Sequence, residues 1–417
     1  MTDFTNRASF GLAGRHRAER RFRWAGQFAI LVSLAFLAVM IGSILKDGAG
    51  VIHRTQIAVT VDFTGIGPDD VADASFGKIL KSGLRAQFPE VTKRKDKKRL
   101  YNLVSPEGSF EIERLVADDP GLLGQVQTLW LSASDDLDLY QRGLIDTNLP
   151  ENQRRLSDSE IEWIAALQQN GQLRRVINWA FLTNGDSREP EIAGILSALV
   201  GSALTLAVCF ALSFPVGIGA AIYLEEFAPA NRVSDLIEVN INNLAAVPSI
   251  VFGLLGLSIF LGVMGLPRSS PLVGGMVLAL MTLPTIIIAA RAALRAVPPS
   301  FKQAALALGA TPVQAVFHHV LPVAMPGMLT GAIVGMAQAL GETAPLLMIG
   351  MVAFIVDVPQ SILEPATALP VQIFLWADSP ERAFTEKTAA AIIVLLIFLI
   401  SMNLIAILLR RKLEQRF

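Results

Sequence analysis

The chain has 417 residues, of which 52% are hydrophobic and only 17% are charged, and its formal net charge is −1. Soluble domains average about 25% charged residues, so this composition excludes a single soluble globule and a strongly basic nucleic-acid-binding protein. The charge is also uneven: residues 47–190 carry 22 acidic and 17 basic side chains, whereas the other 273 residues carry 14 and 18. These counts predict an integral membrane protein with one water-soluble inserted domain.

Six apolar runs are long enough to cross a membrane, since a bilayer core requires about 20 apolar residues in a helix. The runs are 25–45, 192–224, 244–263, 269–290, 320–354 and 388–409. We expect the second to be broken near Pro215. The fifth contains a single charged residue, Glu342. The expected fold class is therefore an all-α polytopic membrane protein with six transmembrane helices.

Basic residues flank the first and last spans, which predicts that both chain ends lie in the cytoplasm. They are Arg7, Arg15, Arg17, Arg20, Arg21 and Arg23 before the first span, and Arg410, Arg411, Lys412 and Arg416 after the last. Residues 1–24 and 410–417 are then cytoplasmic, and 47–190 face the outer side of the membrane. A cleaved signal peptide is the alternative for residues 1–45. The length of the apolar run and the lack of an Ala-x-Ala-like site within 42–50 favour an anchor.

The inserted domain, residues 47–190, is long enough to fold by itself and is expected to be α+β. Alternating apolar residues from Ile57 to Phe63 predict a strand, and Asp69 and Asp70 are expected to open a helix that ends near Phe88. Ser157 and Glu160 have the spacing of a capping box. The basic run 93–99 is interpreted as a solvated loop, with an anion-binding or partner-binding patch as the alternative.

Residue patterns of known catalytic and metal sites are missing from the sequence. The single cysteine is Cys209, and no H-E-x-x-H or Cys/His spacing surrounds the four histidines. Gly77-Lys78 is the one Gly-Lys pair and is followed by Ile79, so no Walker A loop is present, and no G-x-S-x-G occurs. We expect no enzyme activity, no cofactor and no metal.

Glu342 is the first candidate functional residue, because a carboxylate at membrane depth costs about 2.5 kcal/mol or more and such groups usually line a cavity or find a partner. Gly331, Gly335 and Gln338 fall on the same helical stripe as Glu342. Gly327, Gly331 and Gly335 form overlapping G-x-x-x-G repeats, which predict a closely packed helix seam, expected between subunits. Pro345 just beyond Glu342 is expected to interrupt the backbone.

The second candidate is residues 298–322, which we call the coupling segment. Its pattern predicts a short helix that begins after Pro298-Pro299 and stops at Gly309. A short helix held between two spans is suited to docking into a groove of a partner protein.

Five motifs in the second half of the chain resemble the permease subunits of ABC importers. Gln303, Ala304, Ala305 and Gly309, followed by Leu321-Pro322, resemble their EAA loop. The segments FPVGIGAAIYLEE (214–226), VPSIVFG (247–253), GETAP (341–345) and LPVQIF (369–374) resemble the phosphate branch of that family. The last segment favours the PstA-type subunit over its PstC-type sister. The similarity covers about residues 180 to 410.

The resemblance implies a type I ABC permease fold, with residues 192–409 as the permease domain. It implies a PstC-type sister permease, a dimer of PstB-type ATP-binding subunits, a periplasmic phosphate-binding protein of the PstS type, and contact with membrane lipid. Pairing with a second copy of the chain stays open. Gln303, Ala304, Ala305, Gly309 and His318 would contact the ATPase. The family assigns no role to the inserted domain.

The chain departs from the family pattern at three positions. Gln303 replaces the acidic residue of the EAA loop, and His319 replaces an isoleucine. Gln338 stands where PstA-type permeases usually have an arginine, which could bind phosphate and neutralise Glu342. We therefore expect that the positive charge comes from the sister subunit or that substrate handling differs.

The function expected from the sequence is inorganic phosphate import by alternating access, without covalent chemistry in this chain. Gln338, Glu342 and Thr343 would line or gate the path. A permease for another oxyanion, such as phosphonate, molybdate or sulfate, is the first alternative. A membrane-anchored sensor is the second, and the absence of a recognisable output segment disfavours it.

Overall fold

The computed structural model describes residues 3–67, 71, 74–352 and 354–413, and shows a helical bundle with an inserted α+β domain. Helix α1, Asp3–Gly48, has 46 residues. At 1.5 Å per residue it is about 69 Å long, roughly twice the thickness of a bilayer core. A short 3₁₀ turn, Ala49–Ile52, connects α1 directly to the first strand of the domain.

The inserted domain is built on a three-stranded antiparallel sheet of order β2-β1-β3. The strands are β1 His53–Asp62, β2 Val126–Ser132 and β3 Leu173–Ile177. Its helices are α2 Phe76–Gln87, α3 Arg94–Tyr101, α4 Gly108–Asp118, α5 Asp135–Gln141, α6 Asp158–Gln169 and α7 Trp179–Thr183. The first residue of β1, His53, pairs with the last residue of β3, Ile177. The two ends of the domain therefore lie side by side.

The strand predicted from Ile57 to Phe63 is confirmed, since Ile57, Val59, Val61 and Phe63 are fully buried. The capping box of α6 is also present: the Ser157 hydroxyl accepts from the Glu160 N–H, and the Glu160 carboxylate accepts from the Ser157 N–H.

Two predictions for the domain are wrong. Helix α2 begins at Phe76 and not near residue 69, although Asp69 and Asp70 themselves lie outside the described residues. The basic run at 93–99, interpreted as a loop, instead forms most of α3. Leu100 at the end of this helix is fully buried, which anchors one side of it to the core.

Within the described residues, five helices are long and apolar enough to cross a membrane, and a bent pair gives a sixth candidate. After α1 they are α8 Leu196–Ile222, α9 Arg232–Ala245 with α10 Ser249–Leu255, α11 Pro271–Arg295, α14 Leu321–Gly341 and α17 Arg382–Leu413. Between them the described residues form four shorter helices, α12 Pro299–Ala307, α13 Pro312–Ala315, α15 Ala344–Met348 and α16 Leu369–Ala377. Three π-helical segments, Tyr223–Phe227, Gly256–Val263 and Val316–Val320, follow α8, α10 and α13.

The breaks in these helices differ from those predicted. Helix α8 is continuous through Pro215, and the Ser213 hydroxyl close by donates to the Cys209 carbonyl. Prolines are tolerated within transmembrane helices that pack against neighbours, and α8 packs closely against α11 here. The run at 244–263, expected as one span, bends by 102° between α9 and α10. Pro248 stands at this bend and disfavours helical geometry for the residue before it.

The bundle has two ends, which we call the domain end and the far end. Helix α8 leaves the domain end, and α11 runs parallel to it, since Gly275 contacts Val208 while Gly217 contacts Ile286. Helix α14 runs in the opposite direction, towards the domain. Helix α17 begins at the domain end beside the last residue of α1, where Gly48 touches Ala389 and Ala390. The coupling segment therefore lies at the far end.

Candidate functional site

The helix that carries Glu342 is interrupted at this residue. Helix α14 ends at Gly341, Glu342 and Thr343 have no helical assignment, and α15 begins at Ala344. The Glu342 N–H still donates to the Ala339 carbonyl at 3.2 Å. Glu342 and Thr343 are half-buried and Gln338 is exposed. Within the part of the chain that the structure describes, Glu342 forms no ion pair with a Lys, Arg or His side chain.

A second interrupted helix packs directly against this break. A Cβ atom on Gly253 of α10 would lie 2.7 Å from the Cα atom of Pro345, so only glycine permits this approach. The bend at Pro248 and the break at Glu342 thus belong to neighbouring segments. In transporters, discontinuous helices at membrane depth surround substrate sites, because irregular backbone is tolerated where it lines a cavity. Both motifs stand out in the sequence, but no pattern in it predicts their contact.

The glycine stripe of α14 packs against α11 of the same chain. A Cβ atom on Gly331 would lie 2.3 Å from the Ala289 Cβ, and one on Gly327 would lie 2.7 Å from the Ala293 Cβ. Gly335 has slightly more room, with Ile286 at 3.5 Å. The expected position of this seam between subunits is therefore wrong: it joins two helices of one chain.

The seam also indicates the depth of Glu342. Gly331 faces Ala289 and the helices are antiparallel, so Glu342 corresponds in height to Leu278. At 1.5 Å per residue this is about 10 Å from Pro271, the first residue of α11 at the domain end. The interrupted backbone therefore lies inside the apolar length of α11, closer to the domain end than to the far end.

The coupling segment forms the short helix α12, which ends in a Schellman motif. Gly309 has φ of +91°, its N–H donates to the Leu306 carbonyl, and the Ala310 N–H donates to the Ala305 carbonyl. Ala305 is buried, whereas Gln303, Ala304 and Gly309 are exposed. The side chain of Leu308 is 90% exposed. An apolar tip stands free at the far end of the bundle.

His318 lies beyond the Schellman motif, in the π-helical segment that leads into α14. It is exposed, and its Nδ1 atom is 3.2 Å from the Gln314 carbonyl oxygen. Gln314 and Thr311 form a capping box that begins α13. His318 is therefore an exposed residue of the far end, like those of α12.

Ion pairs that the sequence analysis missed surround the base of the coupling segment. Lys302 of α12 pairs with Glu226 at 2.5 Å, just beyond α8. Glu225 pairs with Arg295 at 2.8 Å and with Arg291 at 3.2 Å, both on α11. Arg291 also pairs with Glu238 of α9 at 2.9 Å. The sequence feature that could have indicated these ion pairs was the spacing of Arg291 and Arg295, which lie one turn apart on α11.

Comparison with known proteins identifies the family of this bundle. Residues 213–417 match the family described as binding-protein-dependent transport system inner membrane component. The phosphate transport system permease protein PstA 1 of Mycobacterium tuberculosis is 30% identical over 233 residues, which cover 56% of this chain and 75% of that protein. The chain belongs to the PstA-type permeases of ABC importers. The family membership expected from the sequence motifs is confirmed.

Another relative and a solved structure are also similar to parts of the chain. The probable ABC transporter permease protein YqgI of Bacillus subtilis is 30% identical over 227 residues, covering 52% of this chain and 76% of that protein. Among solved structures, a chain of an inward-facing MetNI methionine ABC transporter is 18% identical, with a TM-score of 0.43. The matched region covers 52% of this chain and 97% of that chain.

The first part of the permease matches a different family. Residues 9–151 match a domain of unknown function, DUF3333. The match includes α1 and stops before α6. The sheet of the inserted domain nevertheless continues beyond residue 151, because β3, Leu173–Ile177, pairs with the central strand β1.

Charged residues join the inserted domain to the last helix of the permease. Arg142 of the domain pairs with Glu386 of α17 at 2.6 Å and with Asp138 at 3.3 Å. Asp138 accepts from the Thr55 N–H at 2.8 Å. Lys387, which is buried, donates to the Ala193 carbonyl. The domain is thus fastened at a second place, apart from its chain connections.

Two carboxyl groups beside this junction have raised pKa values. Burial raises the pKa of Asp135 and that of Glu191 to about 7, and repulsion between the two carboxylates adds to the shift for Asp135. Both residues line a cavity of about 40 Å³ between the domain and α17. This volume is sufficient for one or two water molecules.

Proposed function

We propose that this permease moves inorganic phosphate across a bacterial inner membrane by alternating access, in an importer powered by a separate ATPase. The observation that carries the transport step is the contact of two interrupted helices at Gly253 and Pro345. The specificity rests on relatives that are themselves described as phosphate transport permeases. The far end would face the cytoplasm and the inserted domain the periplasm, in accord with the arginines that precede the first span.

The exposed tip of the coupling segment would dock into the ATPase. Leu308 and Ala304 would supply an apolar contact, and Gln303, Gly309 and His318 are also exposed at this end of the bundle. The Schellman motif fixes the end of α12, so this tip is held in one orientation. Closure of two ATPase subunits would push the coupling segments and move the helices attached to them.

Gln338, Glu342 and Thr343 would line or gate the path at the break. A carboxylate repels phosphate, and none of the basic side chains in the described part of the chain pairs with Glu342. We therefore expect an arginine of a sister permease to pair with Glu342 and to provide the positive charge that this chain lacks at Gln338. Transporters commonly bind charged substrates where discontinuous helices meet.

Uptake of labelled phosphate by cells that depend on this permease tests the function. Phosphate uptake that is not diminished by excess phosphonate, molybdate or sulfate is the expected result. Uptake that one of these anions abolishes would instead assign the permease to that oxyanion. Glu342→Gln should abolish uptake while leaving the assembled complex intact, whereas Asp357→Asn, on an exposed loop beyond α15, should not. Wild-type uptake by Glu342→Gln would refute the role of this carboxylate.

A further inference from the structure

Two adjacent glutamates at the end of α8 connect three different helices at the far end. Glu226 pairs with Lys302 on α12, whereas Glu225 pairs with Arg291 and Arg295 on α11. The side chains of Glu226 and Glu225 are only 11% and 18% exposed. Exposed single ion pairs contribute little. The two glutamates are mostly buried, however, so loss of the basic partner leaves a carboxylate in a poorly solvated position.

Helix α12 is attached to the bundle in at least two places within the described residues. Buried Ala305 packs it towards the segment that continues into α14, so one attachment follows the chain. Lys302 supplies the other, which crosses to α8 and is remote in sequence from Glu226. A displacement of α12 therefore acts on α14 through the chain and on α8 through the Lys302–Glu226 ion pair.

The other side of this connection is held firmly. Glu225 is bound by two guanidinium groups one turn apart on α11, and Arg291 is bound in turn by Glu238 of α9. Glu225 and Glu226 are adjacent residues of the helical segment Tyr223–Phe227, so their side chains leave the helix in different directions. Glu226 can thus face the coupling segment while Glu225 faces α11.

We propose that Lys302 and Glu226 form the joint through which movement of the coupling segment reaches α8, with Glu225, Arg291 and Arg295 as its fixed side. The proposal rests on the proposed function, in which an ATPase displaces the coupling segment. Lys302 and Glu226 act as positioning residues: they touch no substrate. With the joint broken, ATP-driven movement of α12 would continue but α8 would no longer follow.

Charge reversal and charge exchange test the joint in the assembled complex. Lys302→Glu and Glu226→Lys should each lower the phosphate moved per ATP hydrolysed at least tenfold in proteoliposomes. The double exchange should restore this ratio to within about threefold of the wild type. Arg232→Glu, at an exposed position on the same end with no ion pair among the described residues, is the matched control. A wild-type ratio in both single variants, or no restoration in an assembled double variant, would overturn the proposal.

A distance measurement tests the joint independently of which anion is transported. Spin labels on exposed positions Ala307 of α12 and Val216 of α8 should keep their separation when ATP binds to the wild-type complex. The neutral variant Lys302→Met, which avoids a buried like-charge pair, should let the separation change by more than 3 Å. An unchanged distance in this variant would overturn the joint, whereas failure of phosphate uptake by the wild type would affect only the proposed function.

A second, independent observation concerns an apolar surface of the inserted domain. Ile52, Ile177, Trp179 and Leu182 are exposed, and Trp179 is 64% exposed. With Leu45 of α1 and Ala390, Ile393 and Val394 of α17 they line an apolar cavity of about 390 Å³. Leu45 and the three α17 residues belong to the apolar runs 25–45 and 388–409. The exposed patch is therefore continuous with the surface that crosses the membrane.

We infer that this patch is immersed in the outer boundary of the bilayer, with lipid as its occupant. Tryptophan prefers this depth because its ring is apolar and its N–H is polar. Contact with lipid would fix the inserted domain close to the membrane on the side of α1 and α17.

Brominated lipids test this contact, because bromine quenches tryptophan fluorescence only at short range. We would use a variant in which Trp179 is the sole tryptophan, reconstituted in nanodiscs with lipids brominated at different depths. Lipid brominated near the headgroup should quench at least half of the emission, and lipid brominated near the chain end much less. A variant with only Trp130, which is stacked under Arg174 in the sheet, should be unaffected. No quenching of Trp179 by any of the lipids would overturn the inference.

Discussion

The close packing of α11 and α14 can be tested by adding a single methyl group at their seam. Gly331→Ala would place a Cβ atom 2.3 Å from the Ala289 Cβ, whereas carbon atoms pack optimally at about 3.5–4.0 Å. The two helices must therefore separate by more than about 1 Å. Overpacking of this kind costs about 1–3 kcal/mol. Alanine also has a higher helix propensity than glycine, by about 1 kcal/mol, which would partly hide the cost.

A matched substitution removes the effect of helix propensity. Gly219 lies inside α8 and has open space where a Cβ atom would be added. Gly219→Ala should therefore gain the propensity alone, and its difference from Gly331→Ala should be about 1–3 kcal/mol. For domains of 150–250 residues, 1 kcal/mol corresponds to about 2–4 °C, so we expect a gap of several degrees in thermal midpoint.

The assay is the thermal midpoint of the purified complex, followed by size-exclusion chromatography of heated samples. Ala289→Gly added to Gly331→Ala should narrow the gap, because it removes the methyl group that the new one would strike. Equal midpoints for Gly331→Ala and Gly219→Ala, or a gap that Ala289→Gly leaves unchanged, would refute the close-packing argument.

Two further predictions concern the coupling segment and the junction of the inserted domain. Gly309→Ala should uncouple ATP hydrolysis from transport, because a side chain at φ +91° costs about 1–2 kcal/mol, whereas Gly309→Asn should retain more coupling; unchanged substrate-stimulated hydrolysis in liposomes with Gly309→Ala would count against this. The pKa of Asp135 is raised from 3.8 to about 7, so the folded chain binds this proton more tightly than the unfolded chain. The stability of the junction should therefore fall as the pH rises from about 4 to about 7. The thermal midpoint of Asp135→Asn should equal that of the wild type at low pH and exceed it above pH 7, and equal midpoints at both would contradict the buried acid.

Hydropathy alone located most of the membrane helices, because the length of an apolar run is set by the bilayer. It could not decide where they break. Pro215 and Pro284 lie within continuous helices, whereas Pro248 stands at a bend of 102°. The difference depends on packing against neighbouring helices, such as that of α8 against α11, which an apolar run of sequence does not specify.

The site was predicted only in part for a similar reason. Glu342 stood out as one charge in an apolar run, and the break beside it was expected from Pro345. The contact between Pro345, beside this break, and α10 depends on Gly253. In the sequence Gly253 looks like an ordinary glycine of an apolar helix. The ion pair between Lys302 and Glu226 joins residues 76 positions apart, and no local pattern predicts which of several charges will meet.

The basic run at 93–99 shows the opposite error. Its charge density suggested a loop, yet the segment is helical because Leu100 and the half-buried Tyr101 attach it to the core. A surface helix needs apolar residues on only one face, and in α3 these residues are the two that follow the charged run.

The pairing of His53 with Ile177 makes the inserted domain a removable module. Opposed residues in an antiparallel pair have Cα atoms about 4.5–5.5 Å apart, and the Asn178 N–H donates to the Ile52 carbonyl at 2.8 Å. One or two glycines could therefore join residue 52 to residue 178 without displacing α1 or α8. Excision at this point would yield a minimal permease, in which the contribution of the domain to import could be measured by subtraction.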